Sequence, residues 1–461
     1  MKYESIKELK DSLKGIVEFG ANIKTNVLDI KKLQEKIIDR LVFNASLNED
    51  NTIKEASRYL IAEIAASLGI KPASIQRIYE LMGEGKLNGI TVPATNIRGL
   101  TYDVARAMIR SAIKLNAGAF IFEIARTEIE YTKQRPAEYT TVILGAAIKE
   151  NYLAPVFIQG DHFQVGLKKY QLDPAQEVNA VKSLSKEAIE AGFYNIDIDT
   201  STLVDLSKKD IDEQQRLNSE TAASLTTYIR TLEPKGVTIS VGGEIGEVGG
   251  KNSTVEEFRS YMNVYKKALN GNLKGISKIS VQTGTTHGGI PMPDGSIAKV
   301  KLDFQVLEDI AKVSRKEYGL SGTVQHGAST LPDDAFDRFP PTGTSEIHLA
   351  TGFQNMIFDS EYFPSQLRDK IYNHLEETNP NEKKPDQTRE QFIYKMRKKG
   401  FGPFKKEIWD IPEENKKKIR DALEAKFDLL FTKLNIKNTL ETVKKYALTS
   451  EVTRKIPDTL L

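Results

Sequence analysis

The chain has no cysteine among its 461 residues. That absence excludes disulfides, thiolate metal sites and a cysteine nucleophile. It has one tryptophan and five histidines, so any site that needs imidazole draws on few residues. The net charge is only +2, which singles out neither nucleic acid nor an anionic membrane as a partner. No apolar run approaches the roughly 18 residues of a membrane-spanning helix. The opening MKYESIKELKDSLK is charged and lacks the apolar centre of a signal peptide. A soluble, cytoplasmic protein is the expectation.

What is present is 39% hydrophobic and 28% charged residues, enough apolar material for a large core. The texture changes twice along the chain. Residues 1–87 read as helices: IKELKDSLKGIVEF, NVLDIKKLQEKIIDRLVFNASL, TIKEASRYLIAEIAASLG and PASIQRIYELMGEG each place apolar residues three and four apart. From residue 88, short β-branched runs alternate with helical stretches. The runs are ITVPA (90–94), AFIFEI (119–124), PVFIQG (155–160), YNIDID (194–199), VTISVG (237–242), SKISVQ (277–282), GTVQH (322–326) and SEIHLA (345–350). Strand then helix, repeated eight times, predicts an α/β fold of the (β/α)₈ TIM-barrel type over 88–360. An open doubly wound sheet is the competing arrangement. Beyond residue 360 the chain is basic and helical again, after the polar break NPNEKKPDQT. Its segment ENKKKIRDALEAKFDLLFTKL is amphipathic, and its charges read more simply as a solvated face than as a nucleic-acid contact. The division is thus a helical N-terminal extension (1–87), a barrel (88–360) and a helical C-terminal extension (361–461). The extensions must cover their apolar faces on the barrel or on another subunit, so a homo-oligomer is expected.

Barrels of this type place their active sites at the C-terminal ends of the strands. Asp161 and His162 follow the third strand, Asp197 and Asp199 end the fourth, and Glu244 lies two residues past the fifth. His287 follows the sixth, His326 ends the seventh and His348 lies in the eighth; only His374 falls outside the barrel. Three imidazoles converging without a thiolate suit a borderline ion such as Zn²⁺, and three protein ligands leave a position open for chemistry. Each histidine taken singly also reads as a satisfied polar residue at a strand end. Asp161 adjoins a candidate ligand and points elsewhere by alternation, so it is a candidate proton-transfer group; a cap for the next helix is the plainer reading. GGEIGEVGG has the glycines of a phosphate loop without the Walker lysine or dinucleotide spacing, so it is a weak signal.

Six motifs in order carry a family resemblance: GITVPATN, VFIQGDHFQ, NIDIDTS, GGEIGEVGG, TGTTHGG and VQHGASTLPDD. Over about residues 88–360 the chain resembles class II, metal-dependent ketose-bisphosphate aldolases. The resemblance implies a catalytic zinc held by His162, His287 and His326, with Asp199 and Glu244 at an alternate metal position. It implies Asp161 as the acid/base on the aldehyde oxygen. It implies Gly288, Gly327 and Ser329 around the substrate phosphate, and Asn96, His348 and Thr351 in the substrate pocket. The activity implied is that of an aldehyde-lyase acting on the C3–C4 bond of a phosphorylated ketose, with no nucleic-acid or membrane partner.

Some positions depart from the family pattern. Lys251 and Asn252 stand where a mobile glutamate is expected, Ala125 replaces a serine, and His348 and Ala350 replace an asparagine and an aspartate on the last strand. The run QHGAST…FDRFP with IHLATG also looks like metal-dependent ketose and hexuronate C4-epimerases, which use retro-aldol chemistry with the same metal and acid/base. A non-catalytic aldolase-like subunit is a third reading.

Overall fold

The computed structural model describes residues 1–20, 23–246, 251–269, 271–284, 292, 302–452 and 454–461. All eight predicted strands are present: β1 (Val92–Asn96), β2 (Ile121–Ala125), β3 (Val156–Gln164), β4 (Asn195–Asp199), β5 (Ser240–Glu244), β6 (Lys278–Ser280), β7 (Thr323–Gln325) and β8 (Thr344–Leu349). Each pairs in parallel with the next. β8 returns to β1 through Glu346↔Val92 and His348↔Ala94, so the sheet closes into a barrel and the open-sheet alternative is excluded.

The crossovers are helices with legible ends. Asp173 accepts from Gln176 N and caps Pro174–Glu190. Asp210 does the same for Ile211–Arg230, and a Thr254–Glu257 capping box opens Val255–Ala268. Gly319, at φ 68°, closes Phe304–Tyr318 in the left-handed conformation that glycine adopts without strain. The link from β7 to β8 has no α-helix. It runs through three 3₁₀ turns, Ala328–Thr330, Asp333–Arg338 and Pro340–Thr342, because Pro332, Pro340 and Pro341 each remove a backbone donor that a helix there would need.

Several local readings need correction, among them Pro72–Ser74, read as the start of a helix and found as a strand before Gln76–Gly83. Val17–Gly20 and Ile23–Val27 form an antiparallel hairpin inside the region read as helical. The β-branched or aromatic residues Val17 and Phe19, then Ile23, Thr25 and Val27, recur every second residue. That period outcompetes the three-and-four spacing that the same short runs also satisfy. Another concerns β3, expected to stop at Gly160. It continues to Gln164 across a bulge between Gly160 and Phe163, with His162 at φ 40°. A Cβ on Gly160 would overlap the Phe163 ring, so glycine is what lets the bulge fold back on itself.

The arms pack on the barrel with their apolar faces inward, and one hydrophobic core runs through both arms and the barrel. Glu413–Lys433 lies along Thr101–Lys114, where buried Arg420 pairs with Asp103. Pro72–Ser74 adds to the start of β3 in parallel, and Leu448–Thr449 adds to Pro72–Ser74 in antiparallel. The C-terminal arm then crosses the mouth of the barrel. Arg397 Nη2 donates to Asp359 Oδ2 at 3.0 Å, and Phe401 lies so close to Gly99 that a Cβ there would overlap its ring. Among the described residues no helix is long and apolar enough to cross a membrane.

Candidate active site

One cavity of about 690 Å³ opens at the C-terminal ends of the strands. Of the residues singled out from sequence, Asn96, Asp161, His162, Asp199, Glu244, His326, Gly327, Ser329, His348 and Thr351 all line it. His287 and Gly288 lie outside the described residues. His374 sits on the C-terminal arm with its ring 5.2 Å from that of Phe404, away from the cavity.

The bulge in β3 aims two neighbours at different groups. His162 Nδ1 lies 2.9 Å from Asp199 Oδ2 and 3.5 Å from Glu244 Oε2. Its ring centroid is 4.3 Å from that of His326, whose Nε2 lies 3.1 Å from Ser280 Oγ. Ligand atoms of His162, Glu244 and His326 fall within 4.8 Å of one another. Glu244 ends β5 rather than standing two residues beyond it. Burial pushes its carboxyl well above the usual range, and the Asp199 charge adds to this against the pull of His162. A buried carboxylate facing a second carboxylate, with two imidazoles beside them, is a donor set that fits a divalent cation. Asp199 is held below its ordinary value despite burial, by His162 and by the hydroxyl and N–H of Ser201.

Asp161 is not a helix cap: the next helix, Leu167–Leu172, has Gly166 at its N-cap and no side-chain cap, and Asp173 caps the one after it, Pro174–Glu190. Only 3% exposed, it has both oxygens occupied: Asn96 Nδ2 donates to Oδ2 at 2.8 Å, and His348 Nδ1 lies 3.1 Å from Oδ1. Burial would raise its pKa, but the charges of His162 and His348 outweigh that and hold it well below the carboxylate range. Asn96 also donates to Glu128 Oε2 at 2.9 Å. Glu128 in turn accepts from Arg98 Nε at 2.6 Å, and Arg98 reaches Gln354 and Thr351. Ser329 Oγ accepts from Gly352 N at 3.1 Å, and Gly327 turns the chain at φ 70°. Lys251 pairs with Glu257 at 2.6 Å and Asn252 donates to Asp303 at 3.3 Å; neither lines the cavity.

Two parts of the site were not anticipated. Beneath Asp161 the barrel carries an ionic layer instead of a purely aliphatic one. Lys278 Nζ donates to Asp197 Oδ2 and Gln159 Oε1, each at 2.9 Å, and pairs with Glu346. Gly242 makes room for it, since a Cβ there would overlap the Asp197 carboxylate. Gln159 Nε2 donates to both Glu123 and Glu346, and Tyr79 donates its hydroxyl to Glu346. Asp197 is pushed up to about 6, chiefly by burial and then by Glu346, against the pull of Lys278. The signal was available: a charged residue in the middle of AFIFEI, SKISVQ and SEIHLA has no solvent to face in a barrel strand. The second surprise is the wall. Residues of the arm from Glu382 to Lys399 line the cavity, among them Lys384, Lys395, Lys398 and Lys399. No local pattern couples this arm to strands so distant in sequence.

A family model described as fructose-bisphosphate aldolase class-II matches residues 76–409. A fructose-bisphosphate aldolase from Giardia intestinalis is 22% identical over 259 residues, 56% of this chain; the chain spans 66% of that relative's length. Among solved structures, a glycerol complex of fructuronate-tagaturonate epimerase from Cohnella laeviribosi aligns at TM-score 0.57 and 11% identity, covering 93% of this chain and 90% of the other. A probable tagatose 6 phosphate kinase from Sinorhizobium meliloti 1021 aligns at TM-score 0.54 and 14% identity, covering 76% and 100%. At these identities the two structures speak for the fold alone.

Proposed function

Because the chain belongs to the class II fructose-bisphosphate aldolase family, we propose that it is a metal-dependent aldehyde-lyase that breaks and forms the C3–C4 bond of a phosphorylated ketose. The observation that carries this is the convergence of His162, His326 and Glu244 in one cavity with Asp161, a buried carboxylate whose oxygens are both held. A divalent ion in that donor set, Zn²⁺ being the one imidazoles favour, would supply Lewis-acid polarisation of a substrate carbonyl. Asp161 takes the proton of the C4 hydroxyl as the bond breaks, and returns it to the aldehyde oxygen in the reverse direction. Asn96 fixes the orientation of that carboxylate. Arg98 and the lysines of the arm give the outer cavity a cationic wall suited to a phosphorylated sugar.

A second reading is a C4-epimerase acting on a ketose or ketohexuronate, in which the cleaved aldehyde turns and re-adds without leaving. What favours it is His348, an imidazole against Asp161, together with Lys251 and Asn252, which are turned to partners away from the cavity. The fructuronate-tagaturonate epimerase whose structure aligns over 93% of this chain makes ketohexuronates the substrates to try. Product analysis separates the two. Metal-loaded protein is incubated with ketose 1,6-bisphosphates and, separately, with unphosphorylated ketoses and ketohexuronates. Triose phosphates from the first set are the expected result. A C4-inverted sugar from the second set, with no triose released, would replace the lyase by the epimerase. Silence in both sets with metal bound would leave a non-catalytic subunit.

A further inference from the structure

Aliphatic side chains fill the interior of most barrels of this type. This chain places Glu123, Asp197, Lys278, Glu346 and His348 there instead, every one buried. Burying so many ionisable groups is costly unless each is paired, and apolar residues of the same volume would serve stability as well or better. A layer of this kind is therefore expected to serve the site above it.

Its upper member is His348. The ring stands among four carboxylates: Nδ1 lies 3.1 Å from Asp161 Oδ1 and 3.3 Å from Glu123 Oε1, and Nε2 lies 2.6 Å from Glu346 Oε1 and 3.5 Å from Asp197 Oδ2, the Asp161 and Glu346 contacts being the hydrogen bonds. Glu346 cannot swing away, because Lys278, Gln159 and the Tyr79 hydroxyl all hold it. His348 is 3% exposed and its ring packs on His326 at 4.1 Å between centroids. Asp161 thus has one oxygen held by Asn96 from β1 and the other by His348 from β8. We propose that His348, fixed from below by Glu346 and Lys278, is a positioning residue for Asp161. It gives Nδ1–H to one carboxylate oxygen so that the remaining lone pairs face the substrate. The role rests on the reading of Asp161 as the proton-transfer group, and it assigns no proton transfer to His348.

Two measurements test it, one of them independent of turnover. With only five histidines, a ¹⁵N-histidine-labelled protein gives an assignable imidazole spectrum. A strongly hydrogen-bonded, downfield Nδ1–H resonance is expected in the wild type. It should vanish in His348→Gln, move upfield in Asp161→Asn as a neutral amide oxygen replaces the charged acceptor, and persist unshifted in His374→Gln. An unshifted resonance in Asp161→Asn would overturn the contact. The second is a double-mutant cycle. Displacing a reacting group by about 1 Å costs roughly 10²-fold, so His348→Ala should lose about that in kcat with metal content kept and KM changed less than threefold. His348→Gln, which retains an N–H donor, should recover part of the loss. In the Asp161→Asn background His348→Ala should cost nothing further, since the two act as a unit. Additive losses, or a wild-type kcat in His348→Ala, would sink the proposal. If the wild type turned over neither substrate set, the functional reading would fall while the resonance still decided the contact.

Discussion

The roles of Asp161 and its neighbour His162 separate at a single peptide unit. The bulge of β3 and the positive φ of His162 turn the imidazole toward Asp199 and Glu244 while the carboxylate turns toward Asn96 and His348. Variants of the two should therefore fail differently. Asp161→Asn is expected to keep a full complement of metal and to lose turnover by about 10²–10⁴. Steady-state kinetics with metal content measured on the same sample checks this, and a wild-type rate would reduce Asp161 to a structural residue. His162→Ala and His326→Ala should each lose most of the roughly one divalent ion per chain that elemental analysis is expected to find, because each removes a donor. Full metal content in the double variant would place the ion elsewhere. The strand-end histidines were legible in sequence because imidazole is scarce here. The ionic layer beneath them was legible in part, since Glu123, Lys278 and Glu346 interrupt apolar runs. What the sequence concealed was their mutual contact, which arises only when β2, β6 and β8 close around one axis.

Among elements, the eight strands announced themselves by β-branched runs, and most helices by caps and three-and-four spacing. The hairpin at Val17–Gly20 and Ile23–Val27 did not, because runs this short satisfy both periods and only packing decides between them. The wall of the cavity was equally hidden. The arm that bears Lys398 is held against the mouth through Arg397 and Phe401. Gly99→Ala would force Phe401 out of its seat, and overpacking of this kind costs about 1–3 kcal/mol. The expected outcome is a lower unfolding midpoint together with a higher KM for the phosphorylated substrate. An unchanged KM would mean that the arm contributes nothing to the pocket it borders.

For the whole molecule, the helix Thr101–Lys114 is where the pieces meet. Tyr102 donates to Asp39 of the N-terminal arm at 2.7 Å, Asp103 takes Arg420 of the C-terminal arm, and Arg106 and Arg110 hold Glu150 at 2.6 and 2.8 Å. Both arms contribute apolar residues to the same core as the barrel, while Ile23, Leu28 and Ile30 of the N-terminal arm stay exposed. Burial raises the Glu150 carboxyl, but Arg110 and Arg106 more than offset it and hold the group below its ordinary value of 4.5. A carboxylate depressed on folding stabilises fully above its unfolded pKa, and that contribution is lost as pH falls through the folded one. Glu150→Gln is therefore expected to cost about 1–3 kcal/mol near neutrality. Its deficit relative to wild type should shrink as pH drops below 4.5. Urea unfolding of both proteins at several pH values reads this, and a deficit independent of pH would rule the linkage out.

The wall of the cavity is also the last part of it to be synthesised. The strands that carry His162 and Glu244, and β7, which His326 follows, are complete once Leu349 has left the ribosome, whereas Lys398 emerges later and must then travel back to Arg98 and Tyr131. Until it docks, the nascent barrel is open on that side. His162, Glu244 and His326 would then be open to a divalent ion from that side, which the seated arm later lines. If His162, Glu244 and His326 hold a divalent ion, stripped mature protein should reload it more slowly than the Gly99→Ala variant, and the order of birth of the chain would then bear on how the site is filled.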